Sequence, residues 1–361
     1  MEETGRKSWV REHLWLLALI AGALVFVGWA GPMLSSKPIE AVWKVDFYEL
    51  AKGSRENIWV GRILFGAGGT PVLATYWIFY GIVICGIVSA LLAKRNPRFF
   101  ELGLMLNVVA GILFLTSNIF YDYNNCFLTI KESSFIDYLE DWQSLASTRM
   151  AFGTVFATLF SFLAAILHLS GAYNAKRFAL RDLLEIAIFS AAAIVLDLIQ
   201  HFIPSFAVTG GSIGIATLPL LYVALRHGPL AGFVAGGLVF GLITCITDGY
   251  GVFLYPFDYL IGFGSVAILG FFKPLIFGEN QRNYSLKGEI FIFIGCALAG
   301  LVRFIGSSLS SIVNYGLNLV GAMAYNVWYV FGSALISAVL LMALYGPLLR
   351  LQKSFPPNPS K

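Results

Sequence analysis

Ten apolar runs, each interrupted by only a few polar residues, divide the sequence at 13–33, 73–93, 99–120, 148–172, 181–203, 213–225, 228–247, 252–272, 288–312 and 322–350. A run of about 20 such residues is long enough to cross a bilayer as a helix, and helices and closed barrels are the only backbones that satisfy their own polar groups there. Composition agrees: 58% of residues are hydrophobic and 12% charged, against about 25% charged in ordinary globular chains. The fold class expected is therefore an all-α integral membrane protein with about ten transmembrane helices. The run at 213–225 is short for a full span, and its Gly-rich lead-in leaves room for tilting or re-entry.

Basic residues orient such a chain. With both termini in the cytoplasm, the inner ends hold sixteen of the 24 lysines and arginines, among them Arg6, Lys7, Arg11, Lys94, Arg95, Arg98, Arg226, Lys273, Arg350 and Lys353. Lys and Arg concentrate on the cytoplasmic side of span ends, so the expected location is the cell membrane, multi-pass, with both ends inside. The net charge of +4 is this topological signal and gives no reason to expect a nucleic-acid partner. The four cysteines, Cys85, Cys126, Cys245 and Cys296, lack metal-ligand spacing, and only Cys126 falls in an outer loop, so neither a metal site nor a structural disulfide is expected. The first run is too long for the core of a cleaved leader and reads as a retained anchor.

The organisation changes near residue 175. Residues 1–175 form a four-span part with two sizeable extracytoplasmic loops, 34–72 and 121–147; residues 178–351 form a six-span part with short connections; residues 352–361 read as a disordered tail. The first loop carries Trp43, Tyr48 and Trp59 and ends in Gly66-Ala67-Gly68-Gly69-Thr70-Pro71, which lacks the Lys-Ser/Thr ending of a phosphate loop and reads as a turn. The second loop is acidic.

Chemistry concentrates in the six-span part. Asp258 lies inside an apolar run, in Tyr255-Pro256-Phe257-Asp258-Tyr259, where a carboxylate is costly and marks a functional site by default. On the next run Arg303, Ser307, Ser310, Ser311 and Asn314 share one helical face. On the last, Tyr325, Trp328, Tyr329 and Gly332 share another. Topology brings these to one level near the outer surface. The plain alternatives are that Asp258 pairs with Arg303, that the serines bond their own backbone, and that Trp328 is an interfacial belt residue. Asp197 is a second acid at depth, able to line the pocket or pair with Arg303. His201 and His227 read as interfacial and surface histidines. No nucleophile with a positioned base appears, so the chain is not expected to be an enzyme, and no cofactor is expected. Ala187 and Ala191, four residues apart beside Ser190, Ala192 and Ala193, form a small-residue stripe suited to close helix approach.

LLEIAIFSAAAIVLDLIQ at 183–200, GSIGIATLPLLYVALRHGPLAGFVAGGLVFGLI at 211–243, PFDYLIGFGSVAILG and LVRFIGSSLSSIVNYG together resemble the substrate-binding S-components of energy-coupling factor (ECF) transporters, most closely their thiamine-specific branch. The resemblance covers about 180–350 and leaves the four-span part unrecognised. It implies a six-helix bundle that binds a vitamin-like solute, hydrolyses nothing itself, and docks through the stripe at Ala187 and Ala191 on a transmembrane coupling protein driven by two cytoplasmic ATPases. Carried over residue by residue, the family's acid–tyrosine pair falls on Asp258 and Tyr259, with Asp in place of Glu. Its tryptophans fall on Phe240 and Tyr315, its histidine on Ser307, and its last-helix tyrosine on Tyr325. Ala207-Val208 stands where a loop tryptophan is expected, and the last-helix asparagine has no counterpart at Val330-Phe331-Gly332. The substrate expected is thiamine or a related cationic or amine compound, held by Asp258, Tyr259, Phe240, Ser307, Asn314, Tyr315 and Tyr325. A receptor or sensor that keeps the binding fold without transport, or a membrane enzyme acting on lipid, are the competing readings.

Overall fold

Long apolar runs satisfy their backbone groups internally as helices, and the computed structural model is mostly helical. It describes residues 9, 12–30, 33–35, 57–58, 71–117, 149–150, 152–175, 178–201, 213–249, 254–278, 284–315 and 317–356. Most of both long loops, the Gly66–Thr70 turn, Ala207-Val208 and the last five residues lie outside that set. The chain divides into two compact units, Met1–Ala175 and Lys176–Lys361.

The first unit contains α1 (Leu14–Leu24, continued as a 3-10 turn over Val25–Ala30), α2 (Pro71–Ala93), α3 (Phe99–Leu115) and α4 (Phe152–Ala175). Helices α3 and α4 run antiparallel. Gly103 lies under the His168 ring, Gly111 under Phe162, and Gly171 under Phe100. The His168 ring is fully buried, edge-on to Phe100 at 5.8 Å. Three two-residue strands, β1 (Leu34–Ser35), β2 (Asn57–Ile58) and β3 (Arg149–Met150), pair antiparallel in the order β2-β1-β3. They tie the ends of the loops to the start of α4.

Among the described residues the second unit has six long helices, α5 (Leu180–His201), α6 (Thr217–His227), α7 (Pro229–Asp248), α8 (Tyr255–Phe277), α9 (Leu286–Tyr315) and α10 (Leu319–Ala343), followed by the short amphipathic α11 (Tyr345–Ser354). Among the described residues, length and hydropathy qualify six helices for crossing a membrane: Tyr76–Ala93 and Phe152–Tyr173 in the first unit, and α7 to α10 in the second. The expected count of ten goes beyond this. Leu14–Ala30 and Phe99–Leu115 are apolar but shorter, and α5 carries Asp182, Glu185 and Asp197. Helix α6 has 11 residues, or about 16 Å at 1.5 Å per residue, roughly half a bilayer's apolar core. It is short because it is the bundle's central element, with Leu220, Val223 and Ala224 at 0% exposure. It stops at Gly228, whose φ of 100° suits glycine, and Pro229 restarts the helix as α7.

His227 is not at the surface. It is 1% exposed, with Nε2 3.1 Å from Glu185 Oε2 and Nδ1 3.7 Å from Asp182 Oδ1. Arg226 beside it is 3% exposed, its Nε 2.5 Å from Glu185 Oε1. Its other nitrogens donate to Gln352 Oε1 (3.1 Å) and the Phe355 carbonyl (2.9 Å). Tyr222 donates to Glu185 at 2.8 Å and Lys273 Nζ to the Arg226 carbonyl at 2.5 Å. Buried charges persist only when paired, and here α5, α6, α8 and α11 converge to pair them.

Candidate functional site

Two helices cross through π-helical turns. Val234–Phe240 in α7 and Tyr255–Ile261 in α8 are both π-helical, a geometry that recurs at functional sites. Their backbones touch because glycines face the contact: a Cβ on Gly237 would lie 3.0 Å from the Leu260 carbonyl, and one on Gly241 3.0 Å from that of Tyr259. Asp258 and Tyr259 thus project from a widened turn clamped against α7.

Asp258 is half-buried and accepts a hydrogen bond from Ser307 of α9, Oγ to Oδ1, at 2.5 Å. Tyr259 is 4% exposed and donates to Asp248 Oδ2 at 2.7 Å. From α10, Asn326 is fully buried; its amide donates to Ser311 Oγ (2.9 Å), the Ser307 carbonyl (3.3 Å) and the Ala322 carbonyl (2.8 Å). Its oxygen accepts the Tyr329 hydroxyl. Beneath lies an aromatic stack in which Phe240 meets Phe263 edge-on at 4.7 Å and the Arg303 guanidinium lies over Phe263 at 4.5 Å. No ion pair closes between Arg303 and Asp258 among the described residues, so the plain alternative of a direct Asp258–Arg303 salt bridge is not seen, although the two charges lie near enough to act on each other. The flat guanidinium finds an aromatic face instead. A cavity of about 20 Å³, between Thr217, Ser265, Cys296 and Arg303, has room for about one water.

The expected residues divide. Asp258, Tyr259 and Ser307 come together, with Phe240 packed through Phe263. Tyr325 reaches the group through Tyr329, ring to ring at 6.2 Å. Asn314 is buried and donates to Ser310 at 3.1 Å, seven residues beyond Ser307, or about 10 Å along α9. Tyr315, next along at the end of α9, is 44% exposed. The inward face of α10 is Ala322, Asn326, Val330, Ser333 and Ser337, not the expected face of Tyr325, Trp328, Tyr329 and Gly332; Trp328 is 74% exposed. Asp248 and Asn326 were not expected at the site. An acid closing a helix before Gly249 looks interfacial in sequence, and the i, i+4 spacing of Ala322, Asn326 and Val330 was the available signal for the second. Among the described residues no three of His, Cys, Asp and Glu converge as a metal site requires. Ala187 and Ala191 are exposed on α5, in line with exposed Leu184, Ile188 and Val195.

This arrangement lies within residues 183–353, which match the family described as thiamine transporter protein (Thia_YuaJ). The thiamine transporter ThiT of Bacillus subtilis (strain 168) is 29% identical over 185 residues, covering 48% of this chain and 94% of that protein. A solved structure of ThiT from Listeria monocytogenes is 22% identical, with a TM-score of 0.41 over 47% of this chain and 97% of its own. The residues matched by the family fall within the second unit, the match spans nearly the whole length of the Bacillus subtilis protein, and the first unit lies outside the family match.

Proposed function

We propose that residues 178–351 capture thiamine, or a related cationic or amine-bearing solute, from outside the cell as the substrate-binding subunit of an ECF-type transporter. The observation that carries the reading is Asp258, a half-buried carboxylate in apolar surroundings that has Ser307 as its hydrogen-bond partner and no ion pair among the described residues. A group so placed is suited to meet a ligand's positive charge. Tyr259, Ser307 and Phe240 would line the site around it, with Tyr325, Asn314 and Tyr315 contributing from its rim.

Docking on a coupling protein with two ATPases would use the stripe at Ala187 and Ala191, whose exposure leaves it available. Both termini would face the cytoplasm, as the basic residues favour. The chain would hydrolyse nothing itself, and the first unit would be an accessory part.

Titration calorimetry of the purified protein with thiamine tests the reading. Binding is expected in the parent. Asp258→Asn should weaken it by about 10- to 100-fold, the worth of one hydrogen bond to a charged group. Equal affinity in the two proteins would remove charge recognition at Asp258. Uptake that continues after ATP depletion would remove the ECF assignment.

A further inference from the structure

The donors around Asp258 are committed to the protein. Tyr259 gives its proton to Asp248 (2.7 Å), Ser307 to Asp258 (2.5 Å), Tyr255 to the Gly237 carbonyl (3.1 Å) and Tyr329 to Asn326. The Asn326 amide is spent on Ser311 and the Ala322 carbonyl. A hydroxyl has one proton and two lone pairs, and an ionised carboxylate only accepts. What these groups have left to offer is lone pairs. Arg303 is the exception, and its guanidinium lies on Phe263.

We propose that Asp248 is a positioning residue that fixes the polarity of Tyr259. By taking the phenol proton it turns the Tyr259 oxygen into an acceptor toward the ligand. Tyr259 and Asp258 together then select a group bearing N–H donors and reject one that presents a lone pair. The inference rests on the Asp258 end being the ligand site, and it names the chemistry that site prefers. The local structure supports the role. Asp248 is the last residue of α7, directly before Gly249 with its φ of 73°, so its carboxylate is held at the helix end. The Tyr259 ring is buried in a cluster with Cys245 and Leu254, so its hydroxyl chooses partners by rotating its proton, not by moving the ring.

The test compares thiamine with oxythiamine, in which a carbonyl replaces the pyrimidine amino group, by calorimetry on the full chain. Removing the acceptor in Asp248→Ala frees the Tyr259 proton to face the ligand. The affinity ratio of thiamine to oxythiamine should then fall by about tenfold, the worth of one good hydrogen bond. Asp248→Asn keeps an oxygen that accepts the same proton and should retain most of the ratio, which a pure charge effect would not do. Tyr259→Phe should lower the ratio as Asp248→Ala does. The proposal is overturned if Asp248→Ala leaves the ratio unchanged, or if Asp248→Asn falls as far as Asp248→Ala. If the parent binds neither compound, the thiamine reading of the site fails. Ultraviolet resonance Raman spectra, with Tyr259→Phe as the reference, then decide the Asp248 role. A strong-donor signature for Tyr259 that vanishes in Asp248→Ala supports it, and its absence in the parent overturns it.

Discussion

Replacing Arg226 with methionine removes the cation that faces Glu185 at 2.5 Å and cuts the bonds to Gln352 and the Phe355 carbonyl, while keeping an unbranched chain of similar length in the space. Breaking a buried pair by deleting one partner costs about 3–5 kcal/mol, because the other charge stays behind in low dielectric. Glu185 keeps Tyr222 at 2.8 Å and His227 at 3.1 Å, and it is 17% exposed. Those remaining partners place the cost at the low end, about 3 kcal/mol. For a domain of this size that lowers the melting temperature by about 6–12 °C. Thermal unfolding in detergent or nanodiscs, read by intrinsic fluorescence, measures it. The decisive comparison is the double variant Arg226→Met with Glu185→Gln. Removing both charges leaves none unpaired, so the double variant should recover most of the loss. A single variant that melts with the parent, or a double variant that falls by the sum of the two singles, would falsify the claim that this group is a closed, mutually neutralising cluster.

Two further outcomes follow from the packing. Gly236→Ala directs a methyl group into the Phe263 carbonyl across the α7–α8 crossing; backbone cannot yield as a side chain does, so a loss of about 1–3 kcal/mol is expected, and a variant as stable as the parent would mean that α7 and α8 do not cross this closely at Gly236. Ala191→Leu fills the exposed stripe on α5 without touching the Asp258 group, so thiamine affinity should hold while co-purification with a coupling protein is lost; retained co-purification would move the docking face elsewhere.

The sequence made the helices visible where apolar runs reach full span length. Helices α2, α4, α9 and α10 begin and end within several residues of their runs, because each run is bounded by Pro, Gly or charge. It was less informative where burial is complete. Helix α6 reads as a truncated span because nearly every residue is apolar, and periodicity does not separate a central helix from a lipid-facing one. Arg226 was read as a cytoplasmic-end charge and His227 as a surface histidine; their meeting with Asp182 and Glu185 depends on α5, α6 and α11 sharing one end. Arg303 shows the same limit. Charge alone suggests Asp258 as its partner, but the Phe263 ring, 40 residues back in the chain, is the surface it stacks on. Asp258 itself was legible because an acid inside an apolar run is anomalous wherever the helix lies. Asp248 was not, because at a helix end it looks ordinary until Tyr259 is seen to reach it.

The groups at Arg226 and at Asp258 differ in kind, and the difference bears on the proposed place of the ligand. At the Arg226 end, two acids meet an arginine and a histidine, and Tyr222, Gln352 and a backbone carbonyl add hydrogen bonds to them. Such a group closes on itself. At the other end, fifteen residues earlier along α8 from Lys273, or about 22 Å away, Asp258 receives a serine hydroxyl while the nearby cation is turned onto an aromatic ring. A serine does not neutralise a carboxylate. An acid in apolar surroundings that lacks a direct ion pair is suited to meet a partner from outside the chain. Among the described residues the bundle thus uses the Arg226 group to hold helices together, while Asp258 has a serine hydroxyl and no ion pair, and this asymmetry is a physical ground, independent of any family likeness, for the proposal that the ligand meets Asp258.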